Sequence, residues 1–236
     1  MGDDITATLR TSKSHAVSLR KSGVYTEAKD LTEKTYDRYL VPFGKDNPDA
    51  LSCALNLACD YSALEDKEKA KEIGTEVREA YRNALGSDHP YTLIAANNLV
   101  TYIRSTDSPE YALEFAEQTL TDMRRRLGHD HPYTLSAAIN TANCFADVRK
   151  FDEAVALLRQ TTPLLEKKLG HSHPDTLVCQ GNLTAVLYQS GRRTQAQLLQ
   201  EPLLGQFAMS LGSDHPDTDR LRHWILSNRD LEPQPI

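Results

Sequence analysis

The 236-residue chain lacks several things, and each absence removes a class of function. It lacks a basic excess: 33 acidic residues stand against 27 Lys and Arg, a formal charge of −6. A nucleic-acid binder needs a positive surface for phosphates, so nucleic acid is not the expected partner. It lacks any apolar run near the roughly 20 residues that cross a bilayer. Its first residues, Met1-Gly2-Asp3-Asp4, are acidic and polar, unlike a signal peptide. The four cysteines (Cys53, Cys59, Cys144, Cys179) contain no Cys-x-x-Cys pair. They read as reduced, partly buried thiols of a cytoplasmic protein. No Gly-rich phosphate loop and no Ser/His/Asp set appears, so catalysis and a cofactor are not expected. The pairs His129/His131 and His171/His173 supply two ligands each, and zinc takes three or four, so no metal is expected.

What the chain does have is one phrase, repeated. Leu85-Gly86-Ser87-Asp88-His89-Pro90-Tyr91-Thr92-Leu93 returns from Leu127, from Leu169 and from Leu211, with a worn copy from Phe43. The starts are 42 residues apart, and a fixed period of that size marks a repeat array. Leu-Gly reads as a helix end, because glycine just past the helix takes a left-handed helical backbone at little cost. Asp-His-Pro reads as a helix start: proline suits the first helical position, and a polar side chain before it caps free N–H groups.

A second landmark, Ala28, Ala70, Ala112, Ala154 and Ala196, has the same period. Each follows a turn such as Ser22-Gly23-Val24-Tyr25 or Ser190-Gly191-Arg192, and Ser108-Pro109-Glu110 is a clean helix start. Every unit is therefore two helices, for example Pro132 to about Val148 and Asp152 to Leu169. In Leu51, Ala54, Leu57, Ala58 and Tyr61 the apolar residues follow helical spacing. No pair buries its apolar stripe alone, so neighbours must stack. Pro163 and Pro202 fall inside predicted second helices and should bend them.

The triads Leu57/Ala58/Tyr61, Leu99/Val100/Ile103 and Leu183/Thr184/Leu187, each with its second-helix alanine, resemble the packing positions of the tetratricopeptide repeat. The 42-residue period and the Leu-Gly-x-Asp-His-Pro-x-Thr-Leu phrase resemble the long variant of kinesin light chains. They also resemble the C-terminal sensor arrays of bacterial, especially actinobacterial, NB-ARC-type ATPases. The resemblance implies an all-α fold, a right-handed α-α superhelix of about five two-helix repeats. The expected divisions are 1–42, 43–84, 85–126, 127–168 and 169–210, then a capping helix at 211–231 and a disordered tail at 232–236. The first unit departs most, with His15 where Leu57 and Leu99 stand; it reads as a terminal cap or as the cut edge of a longer protein.

In such arrays the first helix of each pair lines a concave groove. There the sequence places a column, Asn56, Asn98, Asn140 and Asn182, one per unit, with Ser14 in the first. Mid-helix asparagine is mildly unfavourable, so four in register need a reason. An amide donates and accepts at once. The resemblance implies that these amides hold the backbone of an extended peptide; the competing reading is a ladder locking adjacent helices. Arg10, Lys13, Arg20, Lys21 and Arg104 make one end of the groove basic. Ile139, Asn143, Val178, Ala185 and Tyr188 line the later units, and Trp224 stands where the column would next repeat. That suits a peptide with acidic character at one end and an apolar side chain at the other. A lone tryptophan at helical spacing usually packs, so Trp224 also reads as plain capping.

The expected function is a non-catalytic scaffold or sensor that binds an extended segment of a protein partner. Two alternatives stand beside it. One is a regulatory arm of a larger NB-ARC-type switch ATPase, with an intramolecular partner domain upstream of Met1. The other is a structural module that self-assembles through its ends.

Overall fold

A computed structural model describes residues 2–233, with side chains from residue 5 onward. Eleven helices are found among the described residues, and no strand. They fall into pairs: α1 (Gly2–Lys21) with α2 (Tyr25–Phe43), α3 (Pro48–Ala63) with α4 (Lys67–Leu85), and α5 (Pro90–Thr106). Then come α6 (Pro109–Leu127), α7 (Pro132–Asp147) with α8 (Phe151–Leu169), α9 (Pro174–Gln189) with α10 (Arg193–Ser210), and the short α11 (Pro216–Arg222). The chain forms two compact units. The first holds residues 1–106 together with 230–236; the second holds 107–229.

The repeated phrase builds the turn between pairs. Gly44, Gly86, Gly128 and Gly170 close their helices at φ between +75° and +98° with ψ between 161° and 168°. This is not the left-handed helical region the sequence suggested. It is an extended conformation at positive φ that is essentially reserved for glycine. Three residues later the histidine imidazole caps the next helix. Nδ1 of His131, His173 and His215 accepts the backbone N–H two residues on, at 3.2, 3.1 and 3.1 Å. Asn47 does the same through its amide oxygen, at 2.9 Å to Asp49 N. The phrase threonine ties the loop back: Thr92, Thr176 and Thr218 each donate to the glycine carbonyl six residues earlier, at 2.8 Å.

Inside each pair the packing is as tight as the alanine column requires. Ala28, Ala70, Ala112, Ala154 and Ala196 are fully buried. At Ala28, Ala70, Ala154 and Ala196 a larger residue would push the two helices of its pair apart. All four cysteines are buried free thiols, and burial pushes Cys53 and Cys179 up to about 12. Helices α8 and α10 run through Pro163 and Pro202. No helix among the described residues is long and apolar enough to cross a membrane.

The end of the chain differs from expectation. The capping helix expected over 211–231 is only α11, which stops at Arg222. Trp224 takes φ +60°, and the N–H of Ile225 reaches back to the Arg220 carbonyl at 2.9 Å. This six-to-one bond around a left-handed residue is a Schellman turn. The same device ends the first helix of other pairs, at Gly23, Glu65, Arg149 and Gly191. After it the chain leaves helix altogether. Glu232 and Pro233, expected in a disordered tail, are placed, Pro233 being buried; residues 234–236 of that tail lie outside the described residues.

Candidate functional site

The asparagine column lies on the first helices: Asn56 on α3, Asn98 on α5, Asn140 on α7 and Asn182 on α9. Each is at most 1% exposed. The 42-residue period gives each the same register position on its own helix. What buries three of them is the chain's own C-terminal segment.

In the second unit the geometry is reciprocal. Asn182 donates Nδ2–H to the Ser227 carbonyl at 2.8 Å, and its oxygen accepts the Ser227 N–H at 2.8 Å. Asn140 treats Arg229 in the same way, at 2.8 and 2.9 Å. Asn143, one turn along α7 from Asn140, also donates to the Ser227 carbonyl (2.9 Å) and accepts from Asn182 (2.8 Å). So the ladder reading and the strand-holding reading describe the same amides: Asn143 and Asn182 join two helices and hold the segment at once. One side-chain amide satisfies both polar groups of one backbone residue, and the held residues are alternate ones. Alternation is the signature of an extended strand.

Side chains of the segment are read as well. The Arg229 guanidinium, half-buried, reaches Asp175 at 2.6 Å and Asp217 at 3.3 Å, both in the first turns of their helices. The Trp224 ring stacks on Tyr188 with centroids 4.3 Å apart and planes 7° from parallel. Arg193 lies over the other member of the stack, 5.4 Å from the Tyr188 centroid. Trp224 is therefore not part of the helical wall, where the sequence placed it. It belongs to the segment that the wall holds. Ile225 is 48% exposed, because the turn at Trp224 rotates it outward.

In the first unit Asn98 repeats the pattern, donating to the Leu231 carbonyl and accepting the Leu231 N–H, both at 2.8 Å. Leu231 is 7% exposed. Its neighbours are the acids Asp230 and Glu232, and both meet Arg20 of α1, at 3.0 and 2.9 Å. Lys21 adds a second cation to Glu232 at 3.0 Å. Arg20 is itself buried and also holds Asp60, which is fully buried, at 2.9 Å. Burial disfavours the Arg20 charge, yet Asp230, Asp60 and Glu232 hold its pKa well above the ordinary value. Burial pushes the Asp60 carboxyl upward, against the pull of Arg20.

The other predicted residues are placed differently. Lys13 is buried, donates to Ser52 at 3.0 Å and lies 3.8 Å from Asp49, so it joins α1 to α3. Burial lowers its pKa, with Asp49 opposing. Arg10 pairs with the same Asp49 at 2.9 Å. Arg104 sits half-buried in the last turn of α5. Ser14 and His15 are exposed. Sequence reasoning missed Ser227, Arg229, Asp230, Leu231 and Glu232. A signal existed: an acid–Leu–acid run close to two prolines, in a chain whose opposite end carries Arg20 and Lys21.

First helices that start every 42 residues from α3 (Pro48) to α11 (Pro216), with a column of polar side chains on α3, α5, α7 and α9, define an α-helical repeat protein. A tetratricopeptide repeat profile matches residues 6–83 and 92–167, well over half of the sequence, and the chain belongs to that family. A search of curated proteins returned no match. Among solved structures the chain is similar to the putative kinesin light chain nearly identical TPR-like repeats of Podosopora anserina. That likeness has 26% identity and a TM-score of 0.61, covering 86% of this chain and 96% of the other. It is also similar in fold to BtubC (BKLC) from P. vanneervenii, at 18% identity and TM-score 0.65, over 98% of this chain and 88% of that one. A third likeness in fold is a Rap protein complexed with Competence and Sporulation Factor, at 12% identity and TM-score 0.73, covering 89% and 56%.

Proposed function

We propose that the protein is a non-catalytic binding module whose first helices hold an extended segment of protein by its backbone. The observation that carries this is the reciprocal pairing of Asn182, Asn140 and Asn98 with Ser227, Arg229 and Leu231. Backbone capture by amides is indifferent to sequence, so side-chain contacts must supply selectivity. The Tyr188 ring takes an aromatic group, Asp175 and Asp217 take a cation, and Arg20 with Lys21 takes acids around an apolar residue. A neutral hydrogen bond adds about 0.5–1.5 kcal/mol net, so affinity comes from several repeats acting together.

The segment now on these helices is the chain's own. A partner segment would compete with it, and the tail would act as an internal ligand. Intramolecular occupancy also favours the second reading, a regulatory arm whose partner lies in the same polypeptide, as in NB-ARC-type switch proteins.

The test is the double variant Asn98→Ala/Asn140→Ala, read by amide hydrogen exchange in the full chain. Four hydrogen bonds to the tail are removed, so the Arg229 and Leu231 amides should exchange at least about tenfold faster, with helicity unchanged. Unchanged exchange at both amides would refute backbone capture.

A further inference from the structure

Asn56 breaks the pattern of the column. Its side chain is 1% exposed, and its oxygen has no hydrogen-bond partner among the described residues. Leaving a buried amide oxygen without a donor is costly, and native structures do so rarely. The register of the tail explains it. Asn182 holds residue 227, Asn140 holds 229 and Asn98 holds 231, a step of two residues per repeat. The next step toward Asn56 arrives at residue 233. That residue is Pro233, which is buried and is the residue type that carries no backbone N–H. The partner that the Asn56 oxygen would accept from does not exist in this tail.

We propose that Asn56 is a fourth backbone-docking position, which the chain's own tail reaches but cannot satisfy, and which is reserved for a partner segment with an N–H at that step. This rests on the groove reading above. The segment it selects has the form acid–apolar–acid followed by a residue other than proline. The two acids meet Arg20 and Lys21, the apolar side chain takes the place of Leu231, and the fourth residue donates to Asn56. Such a segment makes every bond that the tail makes in this unit and one more. Pro233 thereby keeps the internal ligand weaker than the external one, so the tail guards the site and still yields it.

The first experiment replaces the proline in the full chain. Pro233→Ala supplies the missing N–H and should slow exchange of the Leu231 amide by about fivefold, one added hydrogen bond. In an Asn56→Ala background the same change should do nothing; Asn56→Leu, which refills the volume, serves if the alanine variant unfolds. Equal slowing in both backgrounds, or none in the wild type, overturns the assignment to Asn56. Leu231 and Arg229 amides that exchange without protection in the unaltered chain would instead overturn the groove reading itself.

The second experiment works in trans. The full chain carrying Asp230→Lys and Glu232→Lys has a tail that Arg20 and Lys21 repel. A fluorescein-labelled peptide Ser-Asn-Arg-Asp-Leu-Glu-Ala-Gln should bind it about fivefold more tightly than the same peptide with proline in place of alanine. Equal affinities, or no binding by either peptide, overturn the proposal of a reserved partner position.

Discussion

Asn98 and Leu231 stand 133 residues apart in the chain and exchange two 2.8 Å hydrogen bonds, side-chain amide to backbone amide. The pair turns a mid-helix residue of weak helical propensity into an anchor for an extended strand. Its cost to the helix is a few tenths of a kcal/mol, and its two bonds return about 1–3 kcal/mol. Asn98→Ala should therefore leave α5 helical by circular dichroism. The Leu231 amide, monitored by hydrogen exchange, should lose most of its protection. Intact protection in that variant would mean the strand is held by its side chains alone.

Arg20 offers a sharper stability test. It is buried against Asp60, which is fully buried, and the tail acids complete its shell. Arg20→Met strands Asp60 as an uncompensated buried charge and should destabilise the first unit by about 3–5 kcal/mol. The double variant Arg20→Met/Asp60→Leu removes both charges and should recover much of that loss. Chemical denaturation of the two variants and of Asp60→Leu alone completes the cycle. If the double variant loses the sum of the single losses, the two groups are not coupled.

The repeat glycine carries a different liability. Gly170 sits at φ +95° and ψ 162°, and a Cβ built there meets nothing within 4 Å. Space is thus no obstacle to Gly170→Ala; backbone strain is. The variant should lose about 1–3 kcal/mol, seen as a lower denaturation midpoint. A neutral result would show that the turn relaxes into another conformation.

Most of the fold was legible because the phrase encodes its own punctuation. The expected helices Pro132 to about Val148 and Asp152 to Leu169 are found as Pro132–Asp147 and Phe151–Leu169. Proline, histidine and glycine mark starts and stops by local chemistry, and local chemistry is what a sequence shows. The asparagine column was legible for the same reason, being periodic. The segment it holds was not. Nothing periodic announces the turn at Trp224, which falls outside the 42-residue series of the same turn at Gly23, Glu65, Arg149 and Gly191. Position 224 continues the column's count, so periodicity assigned the tryptophan to the wall. Only the contact with Tyr188 moves it to the guest. Lys13 misled in the opposite way: its charge suggested a ligand site, whereas Ser52 and Asp49 of α3 occupy it.

His131 ties stability to pH. Its Nδ1 must be unprotonated to accept the Tyr133 N–H, and burial lowers its pKa below the ordinary 6.5. A folded pKa below the unfolded one means that the unfolded chain binds the proton more readily as pH falls. The contribution of this group is fully present above the unfolded value and is lost as pH falls through the lowered folded value. His131→Asn keeps a capping acceptor and removes the titration. Urea midpoints taken at about pH 7.5 and about pH 5.5 should therefore drop less for the variant than for the wild type. An equal drop would place the pH dependence elsewhere.

Trp224 is the single tryptophan of the chain, so its emission reports the tail without labelling. Stacked on Tyr188 at 4.3 Å, the indole is half-buried while the segment is held. Tyr188→Ala removes the ring it stacks on, and an aromatic pair of this kind is worth about 0.5–1.5 kcal/mol beyond its buried area. Emission should shift to the red, and the Ser227 amide, three residues along, should exchange several-fold faster if stacking helps to hold the strand. A red shift with unchanged Ser227 exchange would separate the two roles. The stack would then only terminate α11, and Asn182 with Asn143 would hold the strand without it.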